Sequence, residues 1–259
     1  LPYSSGTTGR PKGVMLSHFN LVANTLQATL DPEHHVQMYA TDDVAVVLPL
    51  YHIYGMTILM ACALYRGATL HLMPKFDPVN FLQTIQSKKI SVAFIVPPIA
   101  LFLTKNPMVQ QYDLSSIKML FSGAAPLDSA TMEALSKTMN GSIVTQGYGM
   151  TETSPIVAFD GSVKGSAGKL VPNTEARLID PESGQVLPSD KEGELCVRGP
   201  QVMLGYLNRA DATAEVLDTD GFLRTGDMAR FDAEGNMFVG DRLKEFIKVK
   251  GFQVAPAEL

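Results

Sequence analysis

Five short apolar runs constrain the fold of this chain more than any other feature. They are Val44–Leu48, Ala68–Met73, Val92–Val96, Lys118–Phe121 and Ile143–Thr145. These runs are largely apolar and often β-branched. That pattern predicts strands covered on both faces, as in a parallel sheet between helical layers. The intervening segments carry helix-start signals. Asp77-Pro78 places an N-cap before a proline at the first helical position, opening a helix with Phe81, Leu82 and Ile85 inward. Asp128 plays the same part before Met132, Leu135 and Met139, and Ser17 can cap a helix carrying Leu21, Thr25 and Leu26 on one face. Repeated β-α-β units imply right-handed crossovers and a layered α/β fold.

After Gly161 the texture changes. Glu175–Asp180, Glu192–Arg198, Phe222–Arg224, Ala229–Phe231 and Met237–Val239 read as short strands, with Asp232–Asn236 as a hairpin turn. A β subdomain is expected there. At 259 residues and 46% hydrophobic, the chain can bury a substantial core. Charged residues make up 18%, the formal net charge is −5, and no basic cluster appears, which argues against a nucleic-acid surface. Cys62 and Cys196 have neither metal nor redox spacing, as expected of a reduced, cytoplasmic protein. The apolar stretch Val44–Tyr65 is long enough to span a membrane, but Pro49, His52 and Gly55 interrupt it. It is read as a buried strand, a loop and a buried helix. The chain begins at Leu1 rather than methionine, which reads as a piece of a longer protein.

Residues able to do chemistry fall just after the strands. Tyr51-His52, Ser122–Pro126 and Gln146-Gly147-Tyr148 each follow one of the apolar runs, at the sheet edge where open α/β folds bind ligands. Upstream, Tyr3–Gly13 sets Ser4, Ser5, Thr7 and Thr8 beside Gly6 and Gly9, with Lys12 adding one cation. Hydroxyl and backbone donors with a lysine suit a polyphosphate. The Walker spacing fails, because Gly13 follows Lys12. In Thr151-Glu152 a hydroxyl can bond a phosphate oxygen while the carboxylate holds a magnesium ion. Tyr148, between two glycines, offers a flat face to a purine. His34-His35 lacks a third ligand and carries no metal assignment.

Three strings resemble the signature motifs of the acyl-adenylate-forming, AMP-binding enzymes, in the family's order. They are Tyr3–Gly13, Gln146–Glu152, and the run from Gly221–Asp227 through Asp241-Arg242 to Gly251–Leu259. The likeness covers essentially the whole chain and is greatest to coumarate–CoA and medium-chain acyl-CoA ligases. It implies that residues 1–160 belong to the large N-terminal AMP-binding domain, built on layered parallel sheets. Residues 161–243 would be its β subdomain, and 244–259 the hinge and the start of a small C-terminal domain. It implies ATP, magnesium and coenzyme A as partners. Ser4, Ser5, Gly6, Thr7, Thr8, Lys12, Ala124, Gln146, Gly147, Tyr148, Thr151, Asp227, Arg242, Lys244 and Gln253 then match positions that bind ATP or AMP. Asp227 and Arg242 fall to the ribose, and Glu152 to the metal. His52 matches the histidine beside the reacting carboxylate and, with Thr151, Glu152 and Lys248, makes up the catalytic set. Tyr54, Ala124, Gly147 and Phe159 match acyl-pocket positions, and Lys75, Lys250 and Gly251 match coenzyme A contacts. Lys244 is the family's pivot, and its adenylation lysine lies in a part of the C-terminal domain outside this sequence.

The resemblance implies an ATP-dependent carboxylate–CoA ligase acting on an aromatic or medium-chain acid. A luciferase-like adenylating oxidoreductase and a catalytically incomplete nucleotide-binding fragment are the alternatives. A peptide-synthetase module would place an aspartate near Tyr51–Tyr54, where none stands. Thr153-Ser154-Pro155, Phe159 and Ile58 depart from the plant coumarate ligases, which leaves the acyl group open. No nucleic-acid partner and no membrane span are expected, and a eukaryotic source would admit the peroxisome.

Overall fold

The computed structural model describes residues 1–4, 11–30, 36–159, 163–242, 247–249 and 252–254, with backbone alone from 241 onward. The five apolar runs form one parallel sheet. Its strands are β1 (Asp43–Val46), β2 (Thr69–Leu72), β3 (Val92–Ile95), β4 (Met119–Ser122) and β5 (Ile143–Gln146), in the order β2-β1-β3-β4-β5. Alternate side chains serve opposite cores. Val92 and Phe94 join Val44, Val46, Met119 and Phe121 on one face. Ala93 and Ile95 join Ala45 and Leu120 on the other. A strand whose two faces are both buried needs apolar residues at nearly every position, as in β3 and β4, whereas edge strand β2 is partly exposed and carries Thr69 and His71.

Helix α1 spans His18–Leu30, α2 Pro78–Lys88, α3 Pro97–Lys105 and α4 Ser129–Thr138. The Asp77 carboxylate accepts from the Asn80 amide at 2.8 Å, and Asp128 accepts from Thr131 at 2.9 Å, so both expected caps form. Phe81, Leu82, Ile85 and Leu135 bury against the sheet as their spacing predicts. The stretch after β1 runs through a loop into a π-helical turn, Tyr54–Ala61, and a short α-helix, Cys62–Arg66. No helix among the described residues is long and apolar enough to cross a membrane.

Beyond the parallel sheet lies a second, antiparallel one. Its strands β6 (Glu175–Ile179), β7 (Val186–Leu187), β8 (Gly193–Arg198), β9 (Leu223–Phe231) and β10 (Met237–Arg242) run in the order β7-β6-β8-β9-β10. Phe222–Arg224 and Ala229–Phe231, expected as two strands, are one. Thr225-Gly226-Asp227 is a bulge within the strand: Gly226 adopts φ 75°, and between the pairs Cys196–Arg224 and Glu194–Met228 β9 carries the additional residues. A bulge absorbs an extra residue without ending the strand. The expected β9–β10 hairpin is present, with the Asp232 carboxylate accepting from the Glu234 and Asn236 amides.

Helix α1 departs from expectation in the face it buries. Ser17 does cap it, accepting from the Asn20 amide at 3.1 Å. Of the expected face only Thr25 is buried, however: the buried residues are Asn20, Asn24, Thr25, Gln27, Ala28 and Thr29, with Leu21 and Leu26 half-buried and Phe19 and Val22 exposed. Irregular segments packed beneath the helix leave backbone groups that only side chains can satisfy. Asn20 donates to the carbonyls of Pro200 and Val202 at 2.7 and 2.9 Å, and Gln27 donates to Pro172 at 2.6 Å. Asn24 does more. Its Oδ1 accepts from the Ile156 amide at 3.0 Å, and its Nδ2 donates to the Ile156 carbonyl at 2.9 Å. One side chain thus stands in for a neighbouring strand. Replacing it by leucine of similar size orphans the Ile156 amide and leaves its carbonyl only a long contact from Gln201 Nε2, at 3.5 Å. Asn24→Leu is expected to lower unfolding free energy by about 1.5–4 kcal/mol, for one unsatisfied buried group and one weakened hydrogen bond, as read by urea denaturation. A loss under about 1 kcal/mol would show that Ile156 finds other partners.

Candidate functional site

The strand Ile156–Phe159 pairs with Tyr148–Gly149, and the turn between them carries Thr151 and Glu152. Gly149 faces the carbonyl of Pro155 so closely that a Cβ would lie 2.1 Å from that oxygen. A Cβ at Gly147 would come 2.9 Å from the Ala158 carbonyl and 3.0 Å from the Phe121 ring. Side chains are therefore excluded where the loop doubles back, and glycine is required by space. Ser154, at φ 69°, donates through its hydroxyl to the Gln201 carbonyl at 2.8 Å, and the Met203 amide donates to the Glu152 carbonyl at 2.8 Å. The turn is thus tied to the 201–203 segment on one side and, through Ile156, to α1 on the other.

This turn borders a cavity of about 750 Å³ at the carboxyl ends of the parallel strands. Of the sequence-derived candidates, Ser4, Lys12, His52, Tyr54, Ala124, Gly147, Tyr148, Thr151 and Glu152 line it. The expected convergence of loops on one sheet edge is thereby met. Ser4 lies opposite Lys12 in a short antiparallel pair, and Lys12–Met15 pairs in turn with Gly205–Tyr206. Ala124 holds φ 72°, a left-handed conformation that costs a residue with a Cβ about 1–2 kcal/mol. Such local strain is a mark of functional loops.

The electrostatics divide the cavity. At one end, Glu152 is 5% exposed, and the one hydrogen bond its carboxylate receives among the described residues is from the Tyr206 hydroxyl, at 2.8 Å. Lys12 Nζ lies 4.6 Å from the centroid of the same tyrosine ring. A nearly buried carboxylate with a single donor among the described residues has acceptor capacity to spare. That is a fit for a divalent cation, which would take the remaining oxygen. Tyr148, also on the lining, donates through its hydroxyl to the carboxylate of Asp227, which lies just behind the lining residues Thr225 and Gly226, and Asp227 pairs by register with Arg242. The two residues expected at a ribose therefore meet on adjacent strands. At the apolar end, the Tyr54 hydroxyl donates to the Phe121 carbonyl at 3.2 Å, while its ring meets Phe94 and Phe121 edge-on. Burial raises the Tyr54 pKa and keeps the phenol neutral. His52 stands at the mouth. Its Nδ1 accepts from the Tyr54 amide at 3.2 Å, which leaves the neutral ring's proton on Nε2. Desolvation lowers its pKa, so that neutral form prevails near pH 7.

Other candidates lie elsewhere. The Gln146 amide accepts from Leu127 N–H at 3.0 Å and donates to the Ser166 carbonyl at 3.1 Å, so it serves the loops rather than the cavity wall. Phe159 stacks behind Phe121, rings 4.9 Å apart, and Phe121 is the one that lines the cavity. Lys75 is exposed just after edge strand β2, outside the lining. Lys248 and Gln253 are Cα partners in a two-stranded hairpin. Ser5, Gly6, Thr7, Thr8, Lys244, Lys250 and Gly251 lie outside the described residues. Neither cysteine is a nucleophile, since burial pushes the Cys62 thiol up to about 12 and Cys196 to about 11. Sequence reading missed Tyr206, Phe121 and the Glu194–Arg224 ion pair, all on the cavity wall. The alternation Met119–Ser122 within β4 could have pointed to Phe121, but no local signal marks the other three.

Comparison with known proteins follows the same lines. The family model described as AMP-binding enzyme matches residues 1–207. A probable 4-coumarate–CoA ligase 1 from Dictyostelium discoideum is 48% identical over 264 residues, covering 100% of this chain and 47% of that protein. The ATP-bound structure of MatB from Rhodopseudomonas palustris superposes with a TM-score of 0.88 at 32% identity, over 99% of this chain and 50% of that one. An O-succinylbenzoate coenzyme A synthetase from Bacillus subtilis, solved with ATP and magnesium, gives 0.83 at 30% identity, over 99% and 52%. The chain spans about half the length of the relatives it matches.

The contact at Gly149 yields a direct expectation. Gly149→Ala must push the Pro155 carbonyl away and displace the Thr151-Glu152 turn with it. Overpacking of this kind costs about 1–3 kcal/mol, to be read by urea denaturation. Unchanged stability would mean that the turn is free to move.

Proposed function

Since the chain belongs to the family of AMP-binding enzymes, we propose that it forms the adenylating core of an ATP-dependent carboxylate–CoA ligase. The observation that carries this reading is the sorting of groups within one cavity. A buried carboxylate with acceptor capacity to spare and a lysine stand at one end, and an aromatic apolar wall at the other, with a histidine N–H between mouth and wall. Those are the needs of a reaction that joins a triphosphate to an organic acid.

In the proposed reaction an oxygen of the acid attacks the α-phosphorus of ATP, and the bond to pyrophosphate breaks. The thiol sulfur of coenzyme A then attacks the acyl carbon of the adenylate; AMP leaves with the bonding pair and the thiol proton is lost. No enzyme nucleophile is needed, so catalysis comes from positioning and charge. The His52 Nε2–H would hold the acid's carboxylate, and the Thr151 hydroxyl would bond an α-phosphate oxygen. Tyr148 offers its ring to the adenine, while Asp227 and Arg242 serve the ribose. Ser4, Ser5, Gly6, Thr7, Thr8 and Lys12 would cradle the β- and γ-phosphates. Glu152 would hold a magnesium ion, whose contribution is to neutralise phosphate charge. Tyr54, Phe121, Ala124 and Gly147 bound the acyl end, which suits a flat aromatic or medium-chain acid. Coenzyme A falls to Lys75, Lys250 and Gly251, with 244–259 as a hinge about Lys244 that lets a C-terminal domain exchange the two half-reactions.

Carboxylate-dependent exchange of pyrophosphate into ATP tests this reading in the full-length enzyme, with aryl and alkyl acids as the panel. Exchange that requires both magnesium and an acid is expected; none with any acid, together with no rise in melting temperature on adding Mg·ATP, would overturn it. Within the same assay Asp227→Ala should slow all acids alike, because they share the ribose, by about 10–100-fold for a lost charged contact at 1.5–3 kcal/mol. Tyr54→Ala should instead reorder the acids. Equal reordering by both variants would remove the proposed division of the cavity.

A further inference from the structure

Tyr206 stands outside every motif of the sequence, yet it touches two of them. It ends the short strand Gly205–Tyr206, where it lies opposite Val14 and beside the lysine-bearing end of Lys12–Met15. Its side chain is held in place by its surroundings: the residue is 6% exposed, and its backbone amide donates to the Thr213 hydroxyl at 2.9 Å. From there the hydroxyl reaches Glu152 Oε1 at 2.8 Å, and the ring underlies Lys12 Nζ. Met203, three residues earlier, donates its amide to the Glu152 carbonyl at 2.8 Å. One segment therefore grips both the backbone and the side chain of Glu152.

We propose that Tyr206 is a positioning residue for the metal-binding carboxylate: by engaging Oε1 of Glu152 it fixes that side chain and leaves Oε2 to take the cation. The proposal rests on the reading of Glu152 as the magnesium ligand. A glutamate has three side-chain torsions to order, and a donor that orders them beforehand removes that cost from cation binding. Partners of this outer kind change metal affinity by about 10–100-fold. The phenol stays a donor throughout, because burial and the neighbouring Glu152 charge raise its pKa. The ring also keeps the Lys12 cation within reach of the same phosphates without pairing it directly to Tyr206's acceptor.

The test uses the full-length enzyme and measures the magnesium concentration at which ATP raises the melting temperature half-maximally. Tyr206→Phe keeps the ring beneath Lys12 and removes only the hydroxyl. It is expected to raise that concentration about tenfold, and to add little in a Glu152→Gln background, since both changes act through one carboxylate. The magnesium dependence of pyrophosphate exchange should move in parallel while KM for the acid does not. An unchanged requirement in Tyr206→Phe beside a shifted one in Glu152→Gln overturns the role of Tyr206 alone. No shift in either variant overturns it together with the assignment of Glu152. Should Tyr206→Phe fail to fold, Tyr206→His replaces it: its shorter ring cannot reach Oε1 from the same backbone position, so an unshifted requirement there is equally contrary.

Discussion

A single side-chain amide sets the position of the site. Asn24 pairs with both backbone groups of Ile156, immediately after the turn that carries Thr151 and Glu152. Gly149 presses on Pro155 from the opposite side, Ser154 is pinned to Gln201, and Glu152 to Met203. The turn is therefore held by four contacts, two of them to the 201–203 segment, and none of them is a surface ion pair that salt would weaken. This explains why α1 turns a polar stripe inward. A leucine face would have buried more apolar area, at roughly 25 cal/mol per Å². It would also have left the carbonyls of Pro172, Pro200 and Val202 without donors and the Ile156 amide without its acceptor, at about 1–3 kcal/mol each.

That anchoring makes the charge at Glu152 meaningful. A carboxylate in water loses nothing by having one hydrogen bond, whereas one almost removed from water is left in need of a cation. Among the described residues the fold supplies the Tyr206 hydroxyl and, over the same ring, Lys12. In the proposed reading, a carboxylate held this way is stabilised when cation and phosphates arrive together, and binding and folding are coupled, since a ligand that binds only the native state stabilises it.

Much of this was legible in the sequence because the signals are local. The parallel strands announced themselves by apolar runs, the helices by Asp77-Pro78 and Asp128, and the loops by following the strands. What stayed hidden depends on long-range partners. Nothing near Asn24 reveals that Ile156 needs it, and nothing near Tyr206 reveals Glu152. Thr225-Gly226-Asp227 has the composition of a turn, and only pairing of β9 with β8 makes it a bulge. Gln146 and Phe159 sit within recognisable strings, yet packing directs the first to Leu127 and Ser166 and the second behind Phe121. The resemblance located the strings, and the three-dimensional contacts sorted the residues within them.

The central claim is that one cavity takes the nucleotide at its charged end and the acid at its aromatic end. A crystal structure of the full-length enzyme with a non-hydrolysable acyl-sulfamoyl adenosine tests it most directly. The account expects the adenine ring on Tyr148, the ribose hydroxyls at Asp227, the sulfamoyl group by Thr151, and the acyl chain directed past His52 toward Tyr54 and Phe121. An analogue bound in the reverse sense, with adenine against Tyr54 and the acyl chain beside Glu152, or bound outside this cavity, would contradict it.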